Sequence, residues 1–174
     1  VSHHFKSALI DTLTGLYKRR YAFQYLNRVL QRRPGTNTSV TVMVLDLDRF
    51  KSINDTYGHV TGDSVICETA NRLRANLRSA DLVARLGGEE FLIVLTDTSV
   101  PTRREISELL RSTISGMPFK TSDGLVLPVS ASIGVSATQV NWDSPNALIE
   151  NADSALYVAK DNGRNQVTFN HHAA

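Results

Sequence analysis

Three groups of residues in this chain are of the kind that handle metal ions and phosphates. The first is Asp46 and Asp48, which end the apolar, β-branched run Val40 to Leu47. Side chains alternate across a strand, so two carboxylates two apart share a face. An ionised carboxylate there needs a partner, and a strand-end carboxylate is a common Mg²⁺ ligand. Taken alone, the pair also looks like solvated loop acids at a strand terminus. The second group is Gly87-Gly88-Glu89-Glu90-Phe91. Two adjacent acids in a tight hairpin turn are unusual, and one of them must point inward or clamp something near the turn. A plain polar turn is the alternative. The third group is Lys160 and Arg164 around Gly163. Spaced four apart at a helix end, the two cations lie on one side, and the glycine lets a phosphate approach the backbone. Favourable charge at a helix C-terminus also accounts for them. Two acid clusters at the ends of neighbouring strands fit a Mg²⁺ site that also holds substrate phosphates.

The elements that must position these groups follow from the periodicity. Residues 1–10 read as a lead-in, and Asp11 to Arg20 as a loop followed by a helix to about Arg33. Arg33 to Ser39 is a loop by its Pro, Gly, Asn and Ser content. Val40 to Leu47 reads as a buried strand. The spacing of Ile66, Ala70, Leu73 and Leu77 predicts a helix from Gly62 to Arg78. Leu82–Leu86 and Phe91–Leu95 predict a hairpin whose glycines supply positive φ. A helix is expected over Pro101–Ile114 and extended structure over Leu125–Val135. A second long helix, Ser144–Asp161, carries Leu148, Ala152, Ala155 and Ala159 on one face and ends near Gly163. Gln166–Phe169 closes the chain as a strand, before a tail at 171–174. The pattern favours a mixed sheet with helices packed on it.

Bulk properties limit the function classes. At 174 residues, with 41% hydrophobic and 21% charged residues, the chain reads as one globular domain able to bury a core. A net charge of +2 does not by itself argue for nucleic acid or membrane. The single cysteine, Cys67, allows no intrachain disulfide and reads as a small core residue, which fits a reducing compartment. His3, His4, His171 and His172 read as solvated tail residues. No apolar run approaches the roughly 20 residues of a membrane helix. A cytoplasmic location is expected for this part. The chain begins at Val1, so an upstream sensory or membrane segment is left open.

Taken together, the motifs resemble the GGDEF family of diguanylate cyclases, over roughly residues 11–170. Gly87 to Phe91 is the GGEEF form of the signature. Asp46-Leu-Asp-Arg-Phe-Lys-Ser-Ile-Asn-Asp-Thr-Tyr-Gly-His-Val-Thr-Gly-Asp63 is similar to the family's D-x-D-x-F-K-x-x-N-D-x-x-G-H-x-x-G-D segment. Asp11 to Arg20 is similar to D-x-L-T-G-L-x-N-R-R, with Lys18 where Asn is usual. Ala152 to Asn165 resembles the closing motif.

The resemblance implies a mixed central sheet, ferredoxin-like at its core and flanked by helices, as in nucleotide cyclases and polymerase palms. It implies condensation of two GTP molecules into cyclic di-GMP with release of pyrophosphate. Asp46 and Glu89, the latter a turn carboxylate opposite Asp46, would ligate Mg²⁺ together with the Leu47 carbonyl, with Mn²⁺ as a possible substitute. Asn54 and Asp63 would read guanine. Lys51, Lys160 and Arg164 would offset phosphate charge, and backbone N–H groups near Arg49 and Phe50 would cradle the phosphates. Glu89 and Glu90 are both candidates for the general base, and His59 reads as structural. Each domain would bind one GTP, so catalysis requires a two-fold homodimer, which upstream sensory modules control in the family.

Arg78-Ser-Ala-Asp81 resembles the family's R-x-x-D site, at which the product inhibits. A capped helix end is the simpler reading. The family's second arginine corresponds to Leu109 here, with Arg111 two residues on. A degenerate module that senses cyclic di-GMP or GTP, and a purely structural dimerisation domain, are the alternatives to an enzyme.

Overall fold

The computed structural model describes residues 8–31, 39–138, 144–170 and 173. The β-branched run Val40–Leu47 forms strand β2 and is buried along its whole length. Burial on both faces requires a central position in a sheet. Before it come β1 (Tyr17–Lys18) and α1 (Arg19–Gln31). After it come α2 (Phe50–Tyr57), α3 (His59–Ala75), β3 (Leu82–Arg85), β4 (Glu90–Thr96), α4 (Val100–Ser115), β5 (Phe119–Lys120), β6 (Val126–Leu127), β7 (Ala131–Ala137), α5 (Pro145–Asp161) and β8 (Val167–Phe169). The main sheet runs β1-β3-β4-β2-β7-β8. Its outer pairs, β1 with β3 and β7 with β8, are parallel, and the inner ones are antiparallel. It is the mixed, helix-flanked α+β sheet that the sequence leads one to expect. Strands β5 and β6 form a separate ribbon.

Alternation along β2 divides the core. Val42 and Val44 pack with Leu92 and Val94 beneath Leu26 of α1 and Leu148 and Leu156 of α5. Met43 and Leu45 pack with Phe91 and Ile93 against Ile66 and Leu73 of α3 and Leu110 of α4. Helix α5 lies almost on the backbone of β7. A Cβ on Gly134 would stand 2.0 Å from the Ala152 carbonyl oxygen and 2.3 Å from the Leu156 nitrogen, so only glycine permits this packing. The Ser136 hydroxyl also donates to the Leu148 carbonyl at 2.6 Å. The height of α5 over the sheet is thereby set, and with it the reach of Lys160. Ser144 and Ser99 cap α5 and α4, each accepting from a backbone N–H and followed by a proline in the first turn.

Several expectations need correction. Residues 50–57, to which the periodicity assigns no element, form α2. Its apolar content is too small for periodicity to reveal it, and its start is set by Arg49 in a left-handed conformation (φ 56°). Helix α3 begins at His59 and ends at Ala75, not at Gly62 and Arg78. The stretch Leu125–Val135 is broken around Pro128 into β6 and β7, which belong to different sheets. Neither Gly87 nor Gly88 has a positive φ. The hairpin closes through the Leu86 N–H on the Glu90 carbonyl at 2.9 Å, a longer loop than the two-residue turns that demand it. Cys67 is only half-buried, and its thiol donates to the Leu13 carbonyl at 3.3 Å. The helix end at Arg33, most of the 33–39 loop, and His3, His4, His171 and His172 lie outside the described residues. Among the described residues no helix is long and apolar enough to cross a membrane.

Candidate active site

Strand register builds the acidic corner. Asp46 pairs with Glu90 of β4 on one side and with Ser132 of β7 on the other. Directly opposed residues share a face, and this face is the one covered by α5. Lys160, near the end of α5, donates to the Asp46 carboxylate. Asp46 is 5% exposed. Burial raises its pKa, and Lys160 and Arg164 offset this only in part, while Asp48 adds to the rise. Burial also raises Glu90, followed by repulsion from Asp46 and Asp153. Two carboxylates reluctant to ionise, side by side at strand ends, suit a divalent cation with hard oxygen ligands. Among the described residues no three His, Cys, Asp or Glu side chains converge, so backbone, substrate and water oxygens would have to complete such a coordination sphere.

The register corrects the expectation that Glu89 stands opposite Asp46. Glu90 occupies that place, because β4 begins one residue into the acidic pair. Glu89 is the last residue of the turn, half-buried, and its carbonyl accepts from the Leu47 N–H at 3.2 Å. Both glutamates therefore border the corner, by different routes. Asp48, although buried, is fully engaged. It accepts from the Ser130 hydroxyl at 2.7 Å, the Ser132 hydroxyl at 2.6 Å and the Asn165 N–H at 3.0 Å.

The glycine turn is held from behind by a residue given no role in the sequence reading. Arg85 donates to the carbonyls of Gly88 at 2.9 Å and Gly87 at 3.1 Å, and to Asp11 at 3.3 Å. Asp11 in turn accepts from the Thr14 N–H at 3.0 Å and its hydroxyl at 2.6 Å. A Cβ on Gly87 or Gly88 would meet nothing within 4 Å, so both glycines present bare backbone to open space. The one local signal for Arg85 was a cation beside a glycine turn. Its partner Asp11 is far away in sequence.

The remaining site residues fall into separate places. Arg49 precedes α2, whose first N–H groups, from Phe50 onward, have no intrahelical acceptor and no side-chain cap. Lys51 is 88% exposed and pairs with Asp55 at 2.7 Å rather than with the acidic corner. Asn54 packs on Gly62, where a Cβ would fall 1.9 Å from its Oδ1. Helices α2 and α3 thus bring Asn54 beside exposed Asp63. The Asn54 Oδ1 is buried and has no hydrogen-bond partner among the described residues. His59 opens α3, after Gly58 (φ 90°). Arg164 is exposed within three successive left-handed residues, Gly163 (φ 113°), Arg164 (φ 64°) and Asn165 (φ 47°).

Arg78 and Asp81 meet, joined at 2.8 Å. Arg111 does not join them. It bonds Glu108 at 2.5 Å and the Asn165 side chain at 2.7 Å, and Leu109 is 46% exposed on α4.

The geometry has counterparts among known proteins. Residues 8–166 match the family model described as diguanylate cyclase, GGDEF domain. The response regulator PleD of Caulobacter vibrioides is 43% identical over 168 residues, covering 96% of this chain and 37% of PleD. The diguanylate cyclase DgcP of Pseudomonas aeruginosa is 41% identical, covering 93% of this chain and 24% of DgcP. The chain thus spans well under half the length of these curated relatives. Among solved structures, the GGDEF domain of TpbB (YfiN) from Pseudomonas aeruginosa superposes with a TM-score of 0.89 at 36% identity, covering 93% of this chain and 94% of that one. The GGDEF domain of DgcB from Caulobacter crescentus, solved in complex with c-di-GMP, gives 0.88 at 32% identity, covering 93% and 95%. The fold, the signature turn and these likenesses agree, and the chain belongs to the GGDEF domain family of diguanylate cyclases.

Proposed function

We propose that the chain is the catalytic domain of a diguanylate cyclase that joins two GTP molecules into cyclic di-GMP and releases pyrophosphate. The observation that carries this reading is the pairing of buried Asp46 with half-buried Glu90 beside Lys160, at the end of the sheet where α2 begins. Asp46, the Leu47 carbonyl and a glutamate of the turn would hold a divalent cation, Mg²⁺ by the chemistry of the donors. A cation held there would supply Lewis acidity, lowering the pKa of the attacking 3′-hydroxyl and offsetting charge on the α-phosphate. Glu89 and Glu90 divide the roles of ligand and proton acceptor. The 3′-hydroxyl of one GTP loses its proton to the accepting glutamate, its oxygen bonds the α-phosphorus of the other GTP, and pyrophosphate departs. Lys160, Arg164 and the first N–H groups of α2 take the phosphate charge. Asn54 and Asp63 receive the guanine, whose N1–H and amino group find an acceptor that adenine would leave unpaired.

A single domain offers one such half-site. Two copies facing each other are needed to form both bonds, and upstream regulatory segments would set their pairing. Arg78 and Asp81 would bind the product and restrain the enzyme. Incubating the chain with GTP and Mg²⁺ should yield pyrophosphate and cyclic di-GMP, with specific activity rising with protein concentration. GTP binding without product at any concentration would instead make the chain a sensing module.

A further inference from the structure

Behind the end of α3 lies a cavity that the proposed catalysis does not use. It measures 420 Å³ and is bounded by Tyr17, Arg74, Leu77, Arg78, Asp81 and Val83, among others. That size falls within the range of small-molecule sites. Two guanidinium groups stand on its wall. Arg74 lies in the last turn of α3 and Arg78 four residues on. The Arg74 Nη2 donates to the Asn71 side chain at 3.0 Å, and its Nη1 lies 3.5 Å from where a Cβ on Gly15 would be. The group is therefore laid against the turn that precedes β1.

Arg78 is held differently. Its Nε and Nη2 bond Asp81, at 3.2 and 2.8 Å, and Nη2 also reaches the Thr96 carbonyl at 3.2 Å. Its Nη1 has no partner among the described residues. The Asp81 side chain is 1% exposed and that of Arg78 54%, so a buried acid orients a cation that remains open to a ligand. Tyr17 forms the third wall. It is 37% exposed, and its ring stacks on Tyr21 with centroids 3.9 Å apart and planes 15° apart. A ring backed by a second ring is a preset platform for a planar base. Leu77 and Val83 add apolar surface. Two arginines for phosphate and an aromatic wall for a base describe a nucleotide site.

We infer that Arg74 and Tyr17 complete the Arg78–Asp81 site for cyclic di-GMP, supplying the second cation and the base platform from α3 and β1, since Leu109 supplies no cation from α4. The inference rests on the reading that Arg78 and Asp81 bind the product. Titration calorimetry with cyclic di-GMP tests it on the parent chain and on Arg74→Ala, Arg74→Lys, Arg78→Ala and Arg20→Ala, with melting curves to confirm folding. Arg74 is exposed on a helix, so alanine should be tolerated. Losing one charge-assisted phosphate contact should weaken binding about tenfold in Arg74→Ala and in Arg78→Ala. Arg74→Lys should fall between, and Arg20→Ala should match the parent. Weakened binding in Arg78→Ala beside parental affinity in Arg74→Ala overturns the assignment of Arg74 and leaves the Arg78–Asp81 site standing. Parental affinity in both overturns the site itself. Equal loss in Arg20→Ala overturns the inference by showing diffuse attraction. GTP binding with the same affinity and the same dependence on Arg74 overturns the assignment to the product.

Discussion

Asp11 and Asp46 flank the same glycine turn and experience opposite conditions. Burial opposes the charge of Asp11, but the two Thr14 donors and Arg85 outweigh it and hold the carboxyl below its ordinary value of 3.8. At Asp46 burial prevails over Lys160, and the carboxyl is pushed up. Asp48, only two residues from Asp46, is met by two hydroxyls and an amide. The contrast sorts acids of identical type by their task. A carboxylate supplied with donors braces the backbone. One buried beside another carboxylate, with Lys160 as its donor, resists ionisation.

Asp46→Asn should break the contrast most severely. The amide keeps the shape of the carboxyl and removes its charge, so synthesis of cyclic di-GMP should fall by orders of magnitude. Without cation, the variant should melt no lower than the parent, because the folded state already disfavours that charge. Pyrophosphate release and thermal unfolding measure the two effects, and near-parental turnover would remove Asp46 from the cation site.

Asp11→Ala should act in the opposite sense, on stability first. Hydrogen bonds to a charged group contribute roughly 1.5–3 kcal/mol, and a loss of that order should appear in urea unfolding. The sign with pH follows from the lowered pKa. The contribution of Asp11 is fully present above about pH 3.8 and is lost as pH falls through the lower folded value. The parent should therefore lose stability on acidification more steeply than Asp11→Ala. Parallel acid limbs would mean that the Thr14 and Arg85 contacts do not favour its charge.

The smallest effect concerns the third carboxylate. Arg111 holds the side chain of Asn165, whose N–H serves Asp48. Arg111→Ala should loosen the left-handed stretch that carries Arg164 and raise the KM for GTP by about threefold to tenfold, with kcat little changed. Asn165→Asp keeps an acceptor for Arg111 and should stay close to the parent. An unaltered KM in Arg111→Ala would detach α4 from the phosphate site.

Much of this was legible in the order of residues. The β-branched run announced β2, the stripe from Leu148 to Ala159 announced α5, and the spacing of the acids around Gly87 and Phe50 pointed to the family. These signals are local, because a strand or a helix face is written in neighbouring residues. The short helix α2 carried too few apolar residues to be read in this way. Which glutamate faces Asp46 could not be read either, since register depends on the pairing of β2 with β4, and a slip of one residue exchanges the faces. The partners of Asp11, Arg111 and Lys160 also came only with the tertiary structure. Arg85, Asn165 and Asp46 lie far from them along the chain and meet them only once the sheet has formed and α1, α4 and α5 have packed on it. Residue order determined which chemistry the chain can hold. Packing decided which of its acids are braced by several donors and which is buried beside a second carboxylate.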